Sequence, residues 1–307
     1  MSMTSGLVLR ARSGFYTIAT DEGDLLESRL RGRVKKERQT SDLAVIGDRV
    51  VVERLPDGTG AISEVMPRRS RFSRRQPGPR GAWREDVMVA NPDLVVPVFS
   101  VDRPPPNPRL IDRFLVVTEY NEVPALLVAN KVDLVDTDAA RATFEPYRRI
   151  GYDVLYASAK ADIGIDELRE RLAGRLSIVT GPSGVGKSTL LNALQPGLQL
   201  ATGDVSDALN KGRHTTRHSE LHPLHHPRGG HVADTPGIRE LGLWEIPPTE
   251  LAWCFPEFRD HLGHCAFNDC THLHEPRCGL RRAVGEGLVS EERYDSYRRL
   301  LTGGADA

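Results

Sequence analysis

The sequence lacks any apolar run approaching the roughly twenty residues that span a bilayer. Its opening, MSMTSGLVLRARSG, lacks the long apolar stretch of a secretory leader, so the cytoplasm is the expected compartment and no membrane partner is expected. Cysteine is scarce: among 307 residues only Cys254, Cys265, Cys270 and Cys278 carry a thiol, all in one short stretch. In a reducing compartment that clustering speaks against a disulfide scaffold and for a bound metal. Net charge is nearly absent as well, at −1. The balance is uneven, because residues 1–84 hold seventeen Lys/Arg against ten Asp/Glu. Such a basic N-terminal part predicts a polyanionic partner, since neutralising phosphates releases counterions. With 39% hydrophobic and 27% charged residues the chain is otherwise of ordinary globular composition, long enough for two or three domains.

From Gly6 to about Met66, short alternating runs broken by turn signals predict a small all-β barrel: GLVLRARSGFYTIAT, LLESRLRGRV, LAVIGDRVVVERL and PDGTGAISEVM. Arg29, Arg31, Arg33, Lys35, Lys36 and Arg38 cluster around one strand and its following loop, as on the nucleic-acid-facing surfaces of five-stranded barrels. Residues 67–84, rich in Pro, Gly and Arg and without an apolar period, read as a linker. Beyond them, near-continuous apolar runs such as DLVVPVFS, ALLVA and LSIVT alternate with amphipathic segments. That texture predicts an α/β domain with a parallel sheet covered on both faces. After about residue 245 the pattern turns helical and irregular around the cysteines, and reads as a small third domain with a metal at its centre.

Gly181-Pro182-Ser183-Gly184-Val185-Gly186-Lys187-Ser188 matches G-x-x-x-x-G-K-[ST], with the strand LSIVT before it and a helix opening at Ser188 and Thr189. Such a loop wraps backbone N–H groups around phosphate oxygens, with Lys187 reaching the β- and γ-phosphates and the Ser188 hydroxyl placed for Mg²⁺. Downstream, Asp234-Thr-Pro-Gly237 ends an apolar strand, where the Asp234 carboxylate can reach Mg²⁺ through water and the Gly237 N–H can meet a γ-phosphate. Between them GRHTTR offers Thr215 or Thr216 as the switch residue on the metal.

Upstream, the strand ALLVA runs into Asn130-Lys131-Val-Asp133. Asp133 can accept two hydrogen bonds from guanine N1–H and its exocyclic amine, which adenine cannot supply. Lys131 would lay its stem along the base and Asn130 would tie the segment to the phosphate loop. After a further strand, Ser158-Ala159-Lys160 is placed to back the base. Each motif ends a predicted strand, where open α/β sheets bind ligands. The order is permuted, with the base-reading segments ahead of the phosphate loop.

Cys265-x₄-Cys270-x-His272-x₅-Cys278 supplies three thiolates and an imidazole, a set that fits a closed tetrahedral Zn²⁺ site. His264 and His274 are close enough to compete on spacing alone, while Cys254 reads as a core residue.

The combination GDRVVVE, ANPD, NKVD, GPSGVGKSTL, GRHTT, DTPGIREL, FPEF, C-x₄-C-x-H-x₅-C and RY-x₂-Y resembles the ribosome small subunit-dependent GTPase A (RsgA/YjeQ) family over almost the whole chain. The resemblance implies a multi-domain α/β protein: an OB-fold barrel (1–75), a circularly permuted P-loop GTPase domain (76–245) and a small helical zinc-binding domain (246–307). It also implies GTP and GDP as ligands, the small ribosomal subunit and its rRNA as partners, and Zn²⁺ and Mg²⁺ as cofactors, the latter at Ser188 and Thr215. A monomer is expected. Two departures bear on catalysis. Arg217 stands where the family commonly has a third threonine, and Ile238 stands where many small GTPases place a water-orienting Gln. His214 is therefore the expected water-orienting residue, beside Lys187 as the catalytic cation. The competing readings are an RNA-binding module that holds GTP without hydrolysing it, and a P-loop kinase or ATPase.

Overall fold

The computed structural model describes residues 2–32, 44–77, 83–195, 198, 220–234 and 246–303. Five strands open the chain: β1 (Met3–Arg12), β2 (Phe15–Thr20), β3 (Leu25–Leu30), β4 (Arg49–Arg54) and β5 (Gly60–Val65). Their alternation turns Val8, Ile18, Val50, Val52 and Ile62 inward, all fully buried. The order β1-β2-β3-β5-β4 closes when β4 pairs back onto β1, with Gly6 opposite Val50. This is the expected barrel, and closure removes its free edges. Of the basic cluster, Arg29 sits 4.1 Å from the ring centroid of Phe15, and Arg31 pairs with Glu53. Arg33, Lys35, Lys36 and Arg38 lie outside the described residues.

The stretch 67–84 is not a linker. β6 (Arg71–Pro77) and β7 (Trp83–Ala90) form an antiparallel hairpin with Phe72 opposite Val89, and both side chains enter the main core. The Ser73 N–H donates to Asn121 Oδ1 at 2.8 Å, fastening the hairpin to the next domain. A hairpin packed on one side needs few apolar residues, here Phe72, Val87 and Val89. Arg71 and Arg74 pair instead with Glu85 and Asp86, so the arginine content that suggested a linker belongs to a ladder of ion pairs.

The α/β sheet runs β10-β9-β8-β11-β13-β12, from β8 (Leu94–Ser100), β9 (Leu126–Asn130), β10 (Asp153–Ala157), β11 (Leu176–Thr180), β12 (Glu220–Pro223) and β13 (His231–Asp234). All are parallel except β12. Every residue of β8 is buried, Val95 and Phe99 toward one core and Leu94, Val96 and Val98 toward the other. Helices α1 (Pro108–Tyr120) and α2 (Thr137–Arg149) cover the first face; α3 (Ile165–Leu172) and α4 (Lys187–Leu194) cover the second. β1 pairs with β12 at Arg10 and Glu220, which also form an ion pair, so barrel and sheet are continuous.

The ANPD segment fastens this junction. Asn91 takes a left-handed backbone (φ 53°) and is buried, its Nδ2 donating to Gly47 O at 2.9 Å and its Oδ1 accepting from the Arg69 N–H at 2.7 Å. Asp93 accepts from the Leu176 N–H at 2.9 Å, at the start of β11. Asp48 of GDRV is fully buried and accepts from Arg68 at 2.8 Å. Both segments therefore hold barrel, hairpin and sheet in one arrangement.

After β13 the chain is next described at Ile246, which packs against both the main core and a C-terminal cluster. That cluster centres on Phe255, Phe258 and Tyr297, with ring centroids 4.6 to 5.7 Å apart, and takes in Val116 from α1. Helices α5 (Gly279–Gly285) and α6 (Glu291–Thr302) complete it, Ser290 capping the latter by accepting from the Arg293 N–H at 3.2 Å. The buried Arg293 donates to Asp112 of α1 at 2.7 Å and to Glu257 at 2.6 Å. No helix among the described residues is long and apolar enough to cross a membrane.

Asn91→Ala is expected to cost about 2–4 kcal/mol, because it leaves Gly47 O and the Arg69 N–H unpaired and puts an alanine in a left-handed backbone. Asn91→Gly, free of the backbone penalty, should cost roughly half as much. Urea-unfolding midpoints of the two variants would read that order.

Candidate functional site

The phosphate loop joins the buried end of β11 to the first turn of α4. Gly181 takes φ 135° and an added Cβ would lie 2.2 Å from Val98 O, while a Cβ on Gly186 (φ 91°) would lie 2.7 Å from Asn130 Nδ2. Only glycine lets the loop pass this close to β8 and β9. Lys187 folds over the loop and donates to Gly181 O at 2.7 Å and Pro182 O at 2.6 Å. An ammonium held on carbonyls at the rim of such a loop is placed to exchange them for phosphate oxygens. Ser188 is half-buried at the second position of α4, and Pro182, Ser183 and Gly184 form the accessible lip of the loop.

The residues expected to read the base converge on the same loop. Asn130 ends β9, and its Nδ2 donates to Val185 O at 2.8 Å, joining NKVD to the phosphate loop across fifty-five residues of sequence. Its fully buried Oδ1 accepts no hydrogen bond among the described residues. Lys131 adopts a left-handed backbone (φ 64°) at the start of the single 3₁₀ turn Val132–Leu134. Its ammonium donates to Gly184 O at 2.7 Å and also to Arg103 O. Asp133 Oδ1 accepts from Ser158 Oγ at 2.5 Å, and Ser158 Oγ accepts from the Ala161 N–H at 3.1 Å. The serine thus orients the carboxylate beside a cavity of about 150 Å³ whose lining includes Asn130, Lys131, Asp133, Ser158, Ala159, Lys160 and Thr189.

Asp234 closes β13 next to β11. His214, Thr215, Thr216 and Gly237 lie outside the described residues, as does the side chain of Asp234. One contributor escaped the sequence reading: the turn after β8 that presents Arg103 O to Lys131. It carries no recognisable motif. Its position beyond the C-terminal end of a central strand was the available signal.

The cysteine cluster is compact. The ligand atoms of Cys265, Cys270, His272 and Cys278 all lie within 4.8 Å of one another, a set that could hold one metal ion. His272 Nδ1 is 3.3 Å from Cys278 Sγ and 3.5 Å from Cys265 Sγ, and the two sulfurs are 3.8 Å apart. Burial pushes the Cys270 thiol up to about 12 and raises that of Cys278, while burial lowers the His272 imidazole. An imidazole and thiols whose charged forms burial disfavours make a donor set that a cation could complete. The Gly279 N–H donates to Cys265 Sγ at 3.3 Å and the Arg281 N–H to Cys278 Sγ at 3.5 Å, partners that would stabilise thiolates. His264 and His274 are exposed and stand outside the cluster, and Cys254 is buried in the C-terminal core.

Phosphate loop, base-reading segments and a parallel sheet whose central strand carries the loop define a P-loop GTPase in circularly permuted order. The comparisons with known proteins agree. The RsgA GTPase family matches residues 65–244, and the RsgA N-terminal domain family matches residues 5–62. The chain is 46% identical over 299 residues to the small ribosomal subunit biogenesis GTPase RsgA of Gemmatimonas aurantiaca, covering 97% of this chain and 96% of that one. It is 39% identical over 302 residues to the protein of the same name from Bacillus anthracis, covering 97% of each. Among solved structures, YjeQ from Thermotoga maritima superposes with a TM-score of 0.80 at 35% identity over 98% of both chains. YloQ, described as a circularly permuted GTPase, superposes with a TM-score of 0.75 at 32% identity over 99% of this chain and 96% of that one. The chain belongs to the RsgA GTPase family.

Cys270→Ala removes one of the four donors at the cluster. The metal content of the purified protein, read by atomic emission, should fall from about one divalent ion per chain toward zero, with increased protease sensitivity confined to residues beyond 246.

Proposed function

We propose that this GTPase binds GTP through Asp133, Lys131, Asn130 and the Ser158-Ala159-Lys160 segment at the base, and through the loop Gly181–Ser188 with Thr189 at the phosphates. The observation that carries the reading is the bond from Asn130 Nδ2 to Val185 O, which unites base-reading and phosphate-holding segments far apart in sequence. Hydrolysis breaks the bond between the γ-phosphorus and the β–γ bridging oxygen as water attacks, leaving GDP and phosphate. Lys187 would neutralise charge on the phosphates. Ser188, Thr215 or Thr216, and Asp234 through water would hold Mg²⁺, which supplies further neutralisation when bound. With Ile238 unable to polarise water, His214 is the residue we assign to orient it.

The cluster Cys265, Cys270, His272 and Cys278 is read as a structural Zn²⁺ site, on the strength of its sulfur-rich, four-donor composition. The relatives are named for small ribosomal subunit biogenesis. We propose, beyond what those names say, that this chain acts in the cytoplasm as a monomer in late maturation of the small subunit, gripping rRNA through its barrel and its C-terminal domain. We take the functional units as 1–75, 76–245 and 246–307, with the β6–β7 hairpin straddling the first boundary. The segment from DTPG to Ile246 would pass a change in nucleotide state to the C-terminal domain, since Ile246 packs against both cores.

GTP turnover measured alone, with isolated small subunits and with isolated large subunits should be slow alone and rise only with the small subunit. No turnover under any of the three conditions would leave GTP as a structural ligand of an RNA-binding module, and a rate no higher with the small subunit would defeat the proposed coupling. Asp133→Asn should lower GTP affinity by at least about a hundredfold, because the carboxylate loses its match to two guanine donors. ATP competing equally with GTP in the wild-type protein would instead favour a kinase or ATPase.

A further inference from the structure

The turn between β8 and α1 lies against the base-reading lysine, although none of the recognised motifs includes it. Its start is pinned where the Val101 N–H donates to Asn130 O at 2.9 Å, a continuation of the β8–β9 ladder one residue beyond the pair Ser100 and Asn130. Its end is pinned where Asn107 caps α1, accepting from the Arg109 N–H at 3.1 Å. Between them the buried Ser100 Oγ donates to Pro104 O at 2.6 Å and so closes the turn across four residues. This closure holds Pro104 over the phosphate loop, its Cδ 3.6 Å from where a Cβ on Gly184 would stand. It also aims Arg103 O at the Lys131 ammonium. The Arg103 side chain is 81% exposed and pairs with Asp102 at 3.4 Å.

We propose that Ser100 is a positioning residue for nucleotide binding: by closing the Val101–Pro104 turn it holds Arg103 O as the second carbonyl that fixes Lys131 against the base. The inference rests on the assignment of Lys131 to the base site. A lysine has four rotatable side-chain bonds, and only a held ammonium keeps its stem in the plane where a purine stacks. Gly184 O supplies one anchor from the phosphate loop. The turn lying over that loop supplies the other, so the stem is held before a nucleotide arrives. Without Ser100 Oγ the second anchor is free to swing, and each binding event must order both turn and lysine.

The test compares Ser100→Ala and Ser100→Thr with the wild-type full-length chain. Affinity for a fluorescent GDP analogue is titrated, kcat is measured at saturating GTP with small subunits present, and unfolding midpoints are taken without nucleotide. The alanine variant should bind GDP about threefold to tenfold more weakly, the range expected for one side chain and its turn left to be ordered on binding. Its kcat and its unfolding midpoint should be unchanged, because Pro104 is exposed and its carbonyl can turn to water. The threonine variant, which keeps the hydroxyl, should restore the affinity. Unaltered GDP affinity in Ser100→Ala would overturn this inference alone. So would a loss of affinity that runs parallel with a fall in unfolding midpoint, which marks a structural role. Absence of GDP binding by the wild-type chain would overturn the base-site reading with it.

Discussion

The molecule depends on the position of β11 between β8 and β13. All five residues of β11 are buried, so the strand can only sit at the centre of a sheet covered on both faces. Parallel pairing to β8 and β13 brings the C-terminal ends of these strands to one edge, and β9 joins them through β8. The phosphate loop, the Asn130–Asp133 segment and the Ser100 turn all leave the sheet from that edge, where β13 also ends at Asp234. Permuting the chain leaves this convergence intact, because neighbours in a parallel sheet need not be neighbours in sequence.

Helix α1 extends the same constraint to the C-terminal domain. Ile111, Phe114, Leu115 and Val117 pack into the α/β core, while Val116 enters the C-terminal cluster. The helix is apolar around much of its circumference because it is shared. Between the two cores it buries Asp112, which accepts from Arg293 and Ser296 of α6 and from the Tyr147 hydroxyl at 2.9 Å. Arg293 is satisfied further by Glu257 and lies 4.6 Å from the Phe255 ring centroid. A charged cluster of this kind adds little net stability over an apolar one, but breaking it leaves buried charges unpaired. It therefore favours a single docking of the two domains. Burial and the neighbouring Asp112 raise the Tyr147 phenol far above its usual range, so its hydroxyl stays a donor to Asp112.

The cysteine loop is organised from outside as well. The Tyr294 hydroxyl donates to His272 O at 2.6 Å and that of Tyr297 to Thr271 O at 2.8 Å. The aromatic core thus presents the loop, in which burial holds the Cys270 and Cys278 thiols above their usual range.

Much of this was legible in the sequence, for identifiable reasons. Strands buried on both faces, a Gly-rich loop between strand and helix, and four soft donors within fourteen residues are local patterns, and each carries its chemistry wherever it is placed. Alternating runs, near-continuous apolar strands and the clustered cysteines already set out a barrel, an α/β domain and a metal-centred tail. The hairpin at 71–90 was misread because one-sided packing needs only three apolar side chains, and Arg71 and Arg74 find their partners across the strand pair rather than along the chain. ANPD could be recognised but not explained, since the partners of Asn91 are a carbonyl at Gly47 and an N–H at Arg69. The turn at Ser100 left no trace, because what it offers Lys131 is a backbone carbonyl, and any residue type supplies one. The sequence by itself determined which chemical groups the protein has and on which elements they ride. Only the tertiary structure decided which backbone atoms meet those groups, because main-chain donors and acceptors are identical at almost every position and acquire their roles through long-range packing.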